Sequence, residues 1–334
     1  VIAASAHLPF GPALRAELLA LTAPGGDEIE RAARAGNELA RSYSAAVAEV
    51  LSRAGTPPAQ VRAIGCHGQT VRHRPERGYS AQIGNAALLA ELTGIRVVAD
   101  FRSRDVAAGG QGAPLAPAFH AAVFQARHED RVVLNLGGIA NVSRLPRAGA
   151  VAGFDTGPAN CLLDLWAARH LGKPCDDAGE WGSGGEVIGA LLERMLRDPF
   201  FSAPPPKSTG RERFNASWLD GLLEGNEEPR AVQATLLELA ARSAAEAILR
   251  YCPGVTRIIA CGGGTKNRAL MLRLAGLVSP AALETSDRHG IEPQLVEAAA
   301  FAWLAKRALE GIPASLPSVT GARGARVLGA IYPP

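Results

Sequence analysis

Cysteine is scarce in this sequence. The 334 residues include five, Cys66, Cys161, Cys175, Cys252 and Cys261, widely spaced and without a C-x-x-C pair. Neither a disulfide framework nor a zinc site is expected from that usage, and a reducing cytoplasm fits it best. No apolar run reaches the roughly 18 residues that a membrane span needs, and the first residues show no basic segment leading into an apolar core. A membrane partner is therefore not expected. Blocks of one charge are missing as well, since 35 basic and 32 acidic residues are dispersed along the chain for a net charge of +3. That distribution argues against nucleic acid as a partner. The sequence also lacks a G-x-G-x-x-G fingerprint, which counts against a nicotinamide-dependent dehydrogenase. What is present, 47% hydrophobic and 20% charged residues, suits a globular protein long enough for two ordinary domains.

Apolar residues recur at three and four from Asp27 to Ala54 (Ile29, Ala33, Leu39, Ala40, Tyr43, Val47, Val50, Leu51), and this spacing predicts one long amphipathic helix. Strand and helix then alternate. Val61 to Cys66 reads as a strand, Gln82 to Thr93 as a helix closed by Gly94, Ile95 to Ala99 as a strand and Ala116 to Ala126 as a helix. The strand Val132 to Leu136 and a hairpin partner Ala140 to Leu145 follow, then helices at Pro158 to His170, Glu186 to Arg197, Ala231 to Tyr251, Lys266 to Ala275 and Glu292 to Glu310, with a strand at Arg257 to Cys261. An α/β protein with mixed sheets is predicted. The fresh strand series near Arg131 predicts a second domain starting there. Pro204-Pro205-Pro206 followed by Lys207 to Arg211 reads as a surface loop carrying charge toward something.

Several stretches could carry chemistry. In "NLGGIANVS" (135–143), Gly137 and Gly138 lack the Cβ atoms that block close approach, so amide groups could face a phosphate. The alternative is a tight hairpin turn needing positive φ. In "GFDTGPAN" (153–160), Asp155 leaves an apolar strand and meets Gly157-Pro158 at an expected helix start. The positive end of that helix would favour its ionised form, as suits a base or a ligand to metal-bound water; equally, Asp155 could simply cap the helix. "IIACGGGTKN" (258–267) offers Gly262, Gly263 and Gly264 between strand and helix, a backbone on which a nucleotide could lie. "CHGQTVRHRP" (66–75) places His67, Gln69, Thr70 and His73 after a strand, where His67 is either a substrate contact or a structural hydrogen-bonding residue. Downstream, Asp100, Arg102, Arg104 and Asp105 gather beside Gly109-Gly110, either pairing among themselves or forming a site for a polar sugar or carboxylate. Glu297, within the apolar run Leu295 to Leu304, is expected to face a partner or ligand, because an unpaired buried carboxylate is costly.

Taken in order, "GCHGQTVRH", "QIGNAALLAELTGIRVVADFRSRDVAAGGQGAPLAPAFH", "NLGGIANVS", "GFDTGPANCLLD", "PPKSTGRERFN", "CGGGTKN" and "LVEAAAFAWLA" span almost the whole chain and closely resemble the anhydro-N-acetylmuramic acid kinase family. That family belongs to the actin-like ATPase and sugar-kinase superfamily. The resemblance implies two actin-like (ribonuclease H-like) domains, with mixed sheets flanked by helices and an interdomain cleft for ATP. Residues 1–130 with about 311–334 would form the first domain and 131–310 the second, 292–310 serving as a connecting helix.

The resemblance further implies phosphorylation of the 6-oxygen of 1,6-anhydro-N-acetylmuramic acid, with water opening the anhydro bridge to give N-acetylmuramic acid 6-phosphate for cell-wall recycling. Asp155 would be the catalytic base, and His67, Gln69, Thr70, Asp100, Arg102 and Glu297 would bind the sugar. Asn135, Gly137, Gly138, Asn141, Gly262, Gly263 and Gly264 would hold the nucleotide. ATP and Mg²⁺ are the expected cofactors, and a cytoplasmic homodimer the expected form. The family's first phosphate-binding loop, of the form G-T-S-x-D-G, has no counterpart here, and the first residue is Val1. A fuller protein with a preceding segment is therefore expected. The alternative is an actin-like protein that binds sugar or nucleotide without turnover.

Overall fold

A computed structural model describes residues 1–334. Ten strands run along the chain: β1 (Ile64–Gly65), β2 (Gln69–Arg74), β3 (Tyr79–Ile83), β4 (Val97–Ala99), β5 (Asp130–Leu136), β6 (Ile139–Leu145), β7 (Ala152–Pro158), β8 (Val255–Cys261), β9 (Ala282–Thr285) and β10 (Ala330–Tyr332). Helices flank them, and the fold class is α/β with mixed sheets. No helix is long and apolar enough to cross a membrane. The chain divides into two compact units, one of Val1–Phe119 with Glu297–Pro334 and one of His120–Val296.

In the first unit β4 is central, parallel to β1 and antiparallel to β10, and β2 and β3 form a separate hairpin. The long helix runs from Glu28 to Ala54 and stops at Gly55, whose φ of +59° is a left-handed terminator that glycine adopts without steric cost. Two seams of this helix are buried. Ala35 and Leu39 meet Leu14 and Leu18 from the helix Pro12–Ala20 and Leu21 just after it, while Ala40 meets Leu89, Ala90 and Val97. Ile29, expected on the buried face, is exposed, because the packed seam begins a turn and a half later at Ala35.

The helix expected over Gln82 to Thr93 is shorter, Ala86–Thr93. Gln82 and Ile83 belong to β3, and Asn85 caps the helix by accepting the Leu88 amide at 2.9 Å. The helix Val296–Leu309, expected to connect from the second domain, lies almost wholly in the first unit. Its Leu304, Ala305 and Ala308 share a core with Val98, Phe101 and Leu115. That burial is why the chain re-enters the first unit at Glu297 rather than near residue 311.

The second unit is built on a five-stranded sheet of order β7-β6-β5-β8-β9, antiparallel from β7 to β5 and parallel from β5 to β9. Val132, Val133 and Leu134 of β5 are all fully buried, as expected for a central strand covered on both faces. The helix Pro229–Tyr251 is buried nearly all round and is the spine of this core, packed with Leu162, Leu163 and Trp166 of the helix Asn160–Leu171.

Candidate active site

The second unit's site starts at the carboxyl ends of β5 and β8, where open parallel sheets present their loops to ligands. Registers place Asp155 of β7 opposite Asn141 of β6, Asn141 opposite Asn135 of β5, and Asn135 opposite Cys261 of β8. Directly opposed residues share a face, so the four form one row across four strands. A bulge sets this row: Ala140 pairs with Gly157 while Asn141 pairs with Asp155, leaving Thr156 as the extra residue, with its hydroxyl donating to the Ala140 carbonyl at 3.2 Å. Without the bulge, Thr156 would stand opposite Asn141.

Asp155 is half-buried. Its amide donates to the Lys207 carbonyl at 3.0 Å, and its Oδ2 accepts the Thr209 amide at 2.9 Å. Burial pushes its carboxyl up to about 6, against the Thr209 hydrogen bond that lowers it, with Glu212 adding to the rise and Lys207 opposing it. Two expectations are corrected here. The helix begins at Asn160, because Gly157 and Pro158 continue β7, so Asp155 does not cap it. Nor does a helix end favour its charge: burial raises its affinity for a proton instead. An aspartate near 6 is charged at neutral pH yet basic enough to accept a proton.

The Gly137-Gly138 turn joins β5 and β6 without positive φ at either glycine, so the expected reason for glycine does not hold. At Gly138 a Cβ would lie 3.0 Å from Nη2 of Arg211, the far end of an exposed side chain that can give way. The turn's carbonyls are taken: Gly138 accepts the Ala159 and Cys161 amides at 2.9 and 3.0 Å, and Gly137 accepts the Asn160 amide at 3.1 Å. These bonds use the donors that a free helix start would offer.

Gly262, at φ +85°, leaves no room for a Cβ against Asn135 and the Leu136 carbonyl, and Gly264 packs as tightly on Leu136. Only Gly263 faces open space, with the Asn160 amide the nearest group at 3.9 Å. Asn160, not foreseen from sequence, donates its side-chain amide to the Leu136 carbonyl at 3.0 Å, at the start of the Gly137-Gly138 turn. The helix after the triple glycine starts at Arg268 and is capped by Asn267.

The family model described as "Anhydro-N-acetylmuramic acid kinase" matches residues 1–334. The chain belongs to the anhydro-N-acetylmuramic acid kinase family. Relatives bearing that family name include one from Nitrosospira multiformis, 53% identical over 98% of this chain and 90% of its own length. Another, from Bordetella petrii, is 55% identical over 99% of this chain and 89% of its own. Among solved structures, the activator of the 2-hydroxyisocaproyl-CoA dehydratase from Clostridium difficile aligns at a TM-score of 0.41 and 14% identity, covering 80% of this chain and 84% of that one.

The first unit of this family member holds the remaining candidates. His67 Nε2 accepts from Arg102 Nη2 at 2.9 Å and from Nε at 3.1 Å, so Nδ1 carries the proton and donates to the Gly68 carbonyl at 2.9 Å. Burial, with the Arg102 charge beside it, pushes His67 down to about 4. Arg102 also donates to the Gly112 carbonyl at 2.7 Å. Burial lowers its pKa, opposed by the charge of Glu297. Glu297 is exposed in the first turn of its helix, so the expected cost of a buried carboxylate does not arise, and its influence reaches Arg102.

Of the two readings for Asp100, Arg102, Arg104 and Asp105, pairing among themselves does not occur. Asp105 is fully buried and accepts the Gly112 amide and the Thr320 hydroxyl, both at 2.8 Å, which makes it a structural tie. Asp100 is exposed at φ +54° and accepts the Ser103 hydroxyl at 2.6 Å. Thr70 accepts from Gln82 at 3.1 Å on the β2-β3 hairpin, and the Gln69 side chain reaches only the Thr70 carbonyl at 3.4 Å.

Proposed function

We propose that this protein, as a member of its kinase family, opens the 1,6-anhydro ring of 1,6-anhydro-N-acetylmuramic acid with water and phosphorylates O6 from ATP, giving N-acetylmuramic acid 6-phosphate and ADP for cell-wall recycling. Asp155 is the base. It takes a proton from water as the water oxygen bonds to the anomeric carbon; the bond from that carbon to O6 breaks, and O6 attacks the γ-phosphorus. An oxygen captured by phosphorus has less need of a separate acid than the leaving group of an ordinary glycosidase.

The observation that carries this reading is the half-buried Asp155, lifted to about 6 and held in one row with Asn141 and Asn135. The Gly137-Gly138 turn and Gly263 lie beside that row and supply backbone for the nucleotide. Gln69, Thr70, Asp100, Arg102 and Glu297 are proposed to touch the sugar, with His67 serving that site by holding Arg102. Of these, Arg102 suits the sugar's carboxylate, because His67 and Gly112 fix its planar fork. Mg²⁺, expected with ATP, would be held chiefly by the phosphate oxygens and water and would offset their charge; no group of three His, Cys, Asp or Glu side chains gathers to hold it. A cytoplasmic homodimer is part of the proposal.

Incubating the intact protein with ATP and the anhydro sugar tests it. ADP together with a reducing 6-phosphosugar is the expected product pair. Nucleotide binding with no product would leave a binding protein without turnover.

A further inference from the structure

The loop from Pro204 to Phe214 carries three cations, and two are committed. Lys207 Nζ donates to the Phe200 carbonyl at 2.9 Å and the Phe201 carbonyl at 3.3 Å, and lies 4.5 Å from the centre of the Phe200 ring. Arg213 pairs with Asp198. Arg211, between them, is exposed and enters no ion pair or hydrogen bond of the protein. Its guanidinium lies beside Gly138. From there its charge acts on Asp164 and Cys161 in the first turns of the helix Asn160–Leu171.

The anchors on either side make this placement specific. Two residues before Arg211, the Thr209 amide is bonded to Asp155. Three residues after it, Phe214 is buried among Phe200, Phe201 and Trp218. The loop therefore holds an uncommitted cation over the glycine turn while the same loop grips the proposed base. Neither the Gly137 nor the Gly138 amide donates to a turn or loop carbonyl. A planar guanidinium beside a glycine turn suits a tetrahedral or planar oxyanion.

We propose that Arg211 binds the phosphate chain of ATP at the Gly137-Gly138 turn and stabilises the γ-phosphoryl group as it passes to O6. The inference rests on the kinase reading above and adds a catalytic residue to it. The competing anion is the carboxylate of the muramic acid. Phosphate is favoured because the glycine turn gives main-chain donors in addition to the arginine, and because charge on a transferring phosphoryl group is what a fixed arginine offsets best.

Arg211→Gln and Arg211→Lys in the intact protein provide the test, since an exposed side chain is not needed for folding. Turnover and KM for each substrate would be measured, with calorimetric affinities for ADP and for a non-hydrolysable ATP analogue. Arg211→Gln should lower kcat about 10²–10³-fold. It should also weaken the analogue by about tenfold more than ADP, with KM for the sugar unchanged. Arg211→Lys should restore part of the loss, keeping the charge without the fork. Unchanged kcat in Arg211→Gln alongside an inactive Asp155→Asn would overturn the assignment, and so would a loss confined to KM for the sugar. A wild-type protein that makes no phosphosugar would sink the kinase reading instead. The gap between analogue and ADP affinities would then still decide whether Arg211 meets the terminal phosphate.

Discussion

Asp155 and Thr209 are joined through the Thr209 amide, which donates to the Asp155 carboxylate at 2.9 Å, while the Asp155 amide donates to Lys207 two residues earlier at 3.0 Å. The loop thus lies along the outer edge of β7, the last strand of its sheet. This covers an edge that would otherwise offer unpaired main-chain groups, and it fixes one carboxylate oxygen while leaving the other for chemistry. The Thr209 hydroxyl is buried beside this bond with no hydrogen-bond partner.

Asp155→Asn is expected to keep the fold, because the amide oxygen can still accept from Thr209, and to lose several orders of magnitude in turnover. Sugar affinity should change little, since only proton acceptance is removed. Steady-state rates with sugar affinity measured by calorimetry check this. Turnover near that of the wild type would remove Asp155 from the role of base.

A carboxyl near 6 sets the acid limb of the rate profile. The base must be deprotonated, so kcat/KM should fall about tenfold per pH unit below that value and level off above it. The stability term has the opposite sense. Between the ordinary value of 3.8 and about 6, the folded state keeps a proton that the unfolded chain has lost. This carboxyl's contribution therefore declines as pH rises through that window and stays low above it. Asp155→Asn removes the penalty and should be more stable than the wild type at pH 8 by on the order of 1 kcal/mol. Denaturant melts at pH 4 and pH 8 would show whether the difference appears only at the higher pH.

The periodicity of the helix Glu28–Ala54 and the glycine punctuation of β5 and β6 were legible because one local pattern dictates each. The β2-β3 hairpin was not. Its strands carry Gln69, Thr70, His73, Ser80 and Gln82, which bond partly to one another across the pair (Gln82 to Thr70, His73 to Ser80) rather than alternating apolar with polar. The bulge at Thr156 was equally silent, since register is a property of two strands. Asp155 and Glu297 stood out as carboxylates in apolar runs, but only the structure separates them, one half-buried and one exposed. Arg211 was hidden within a charged loop because its importance lies in what Lys207 and Arg213 are already doing.

Gly65 tests the docking of the helix Val296–Leu309 in the first unit. A Cβ there would sit inside the van der Waals envelope of the Phe301 carbonyl, which is backbone and cannot swing away. Gly65→Ala should destabilise the protein by about 2 kcal/mol or more, as overpacking against a rigid partner does. Gly55→Ala is the comparison: it has open space, so its cost should be only that of φ +59° for an alanine, about 1 kcal/mol. Chemical denaturation of both variants decides the matter, and equal midpoints would contradict the close approach.

Arg102 and His67 should behave as one unit toward the sugar. The arginine fork is held by two bonds to His67 and one to the Gly112 carbonyl, so Arg102→Lys keeps a charge but loses the planar geometry that suits a carboxylate. KM for the anhydro sugar should rise about tenfold or more, as a charge-assisted bidentate contact is worth roughly 1.5–3 kcal/mol, with KM for ATP unaffected. His67→Ala removes the support without removing the ligand group and should raise the same KM less. The double variant should cost no more than Arg102→Lys alone, since the histidine acts through the arginine. Additive losses would instead place His67 in direct contact with the sugar, and an effect on KM for ATP would move Arg102 out of the sugar site.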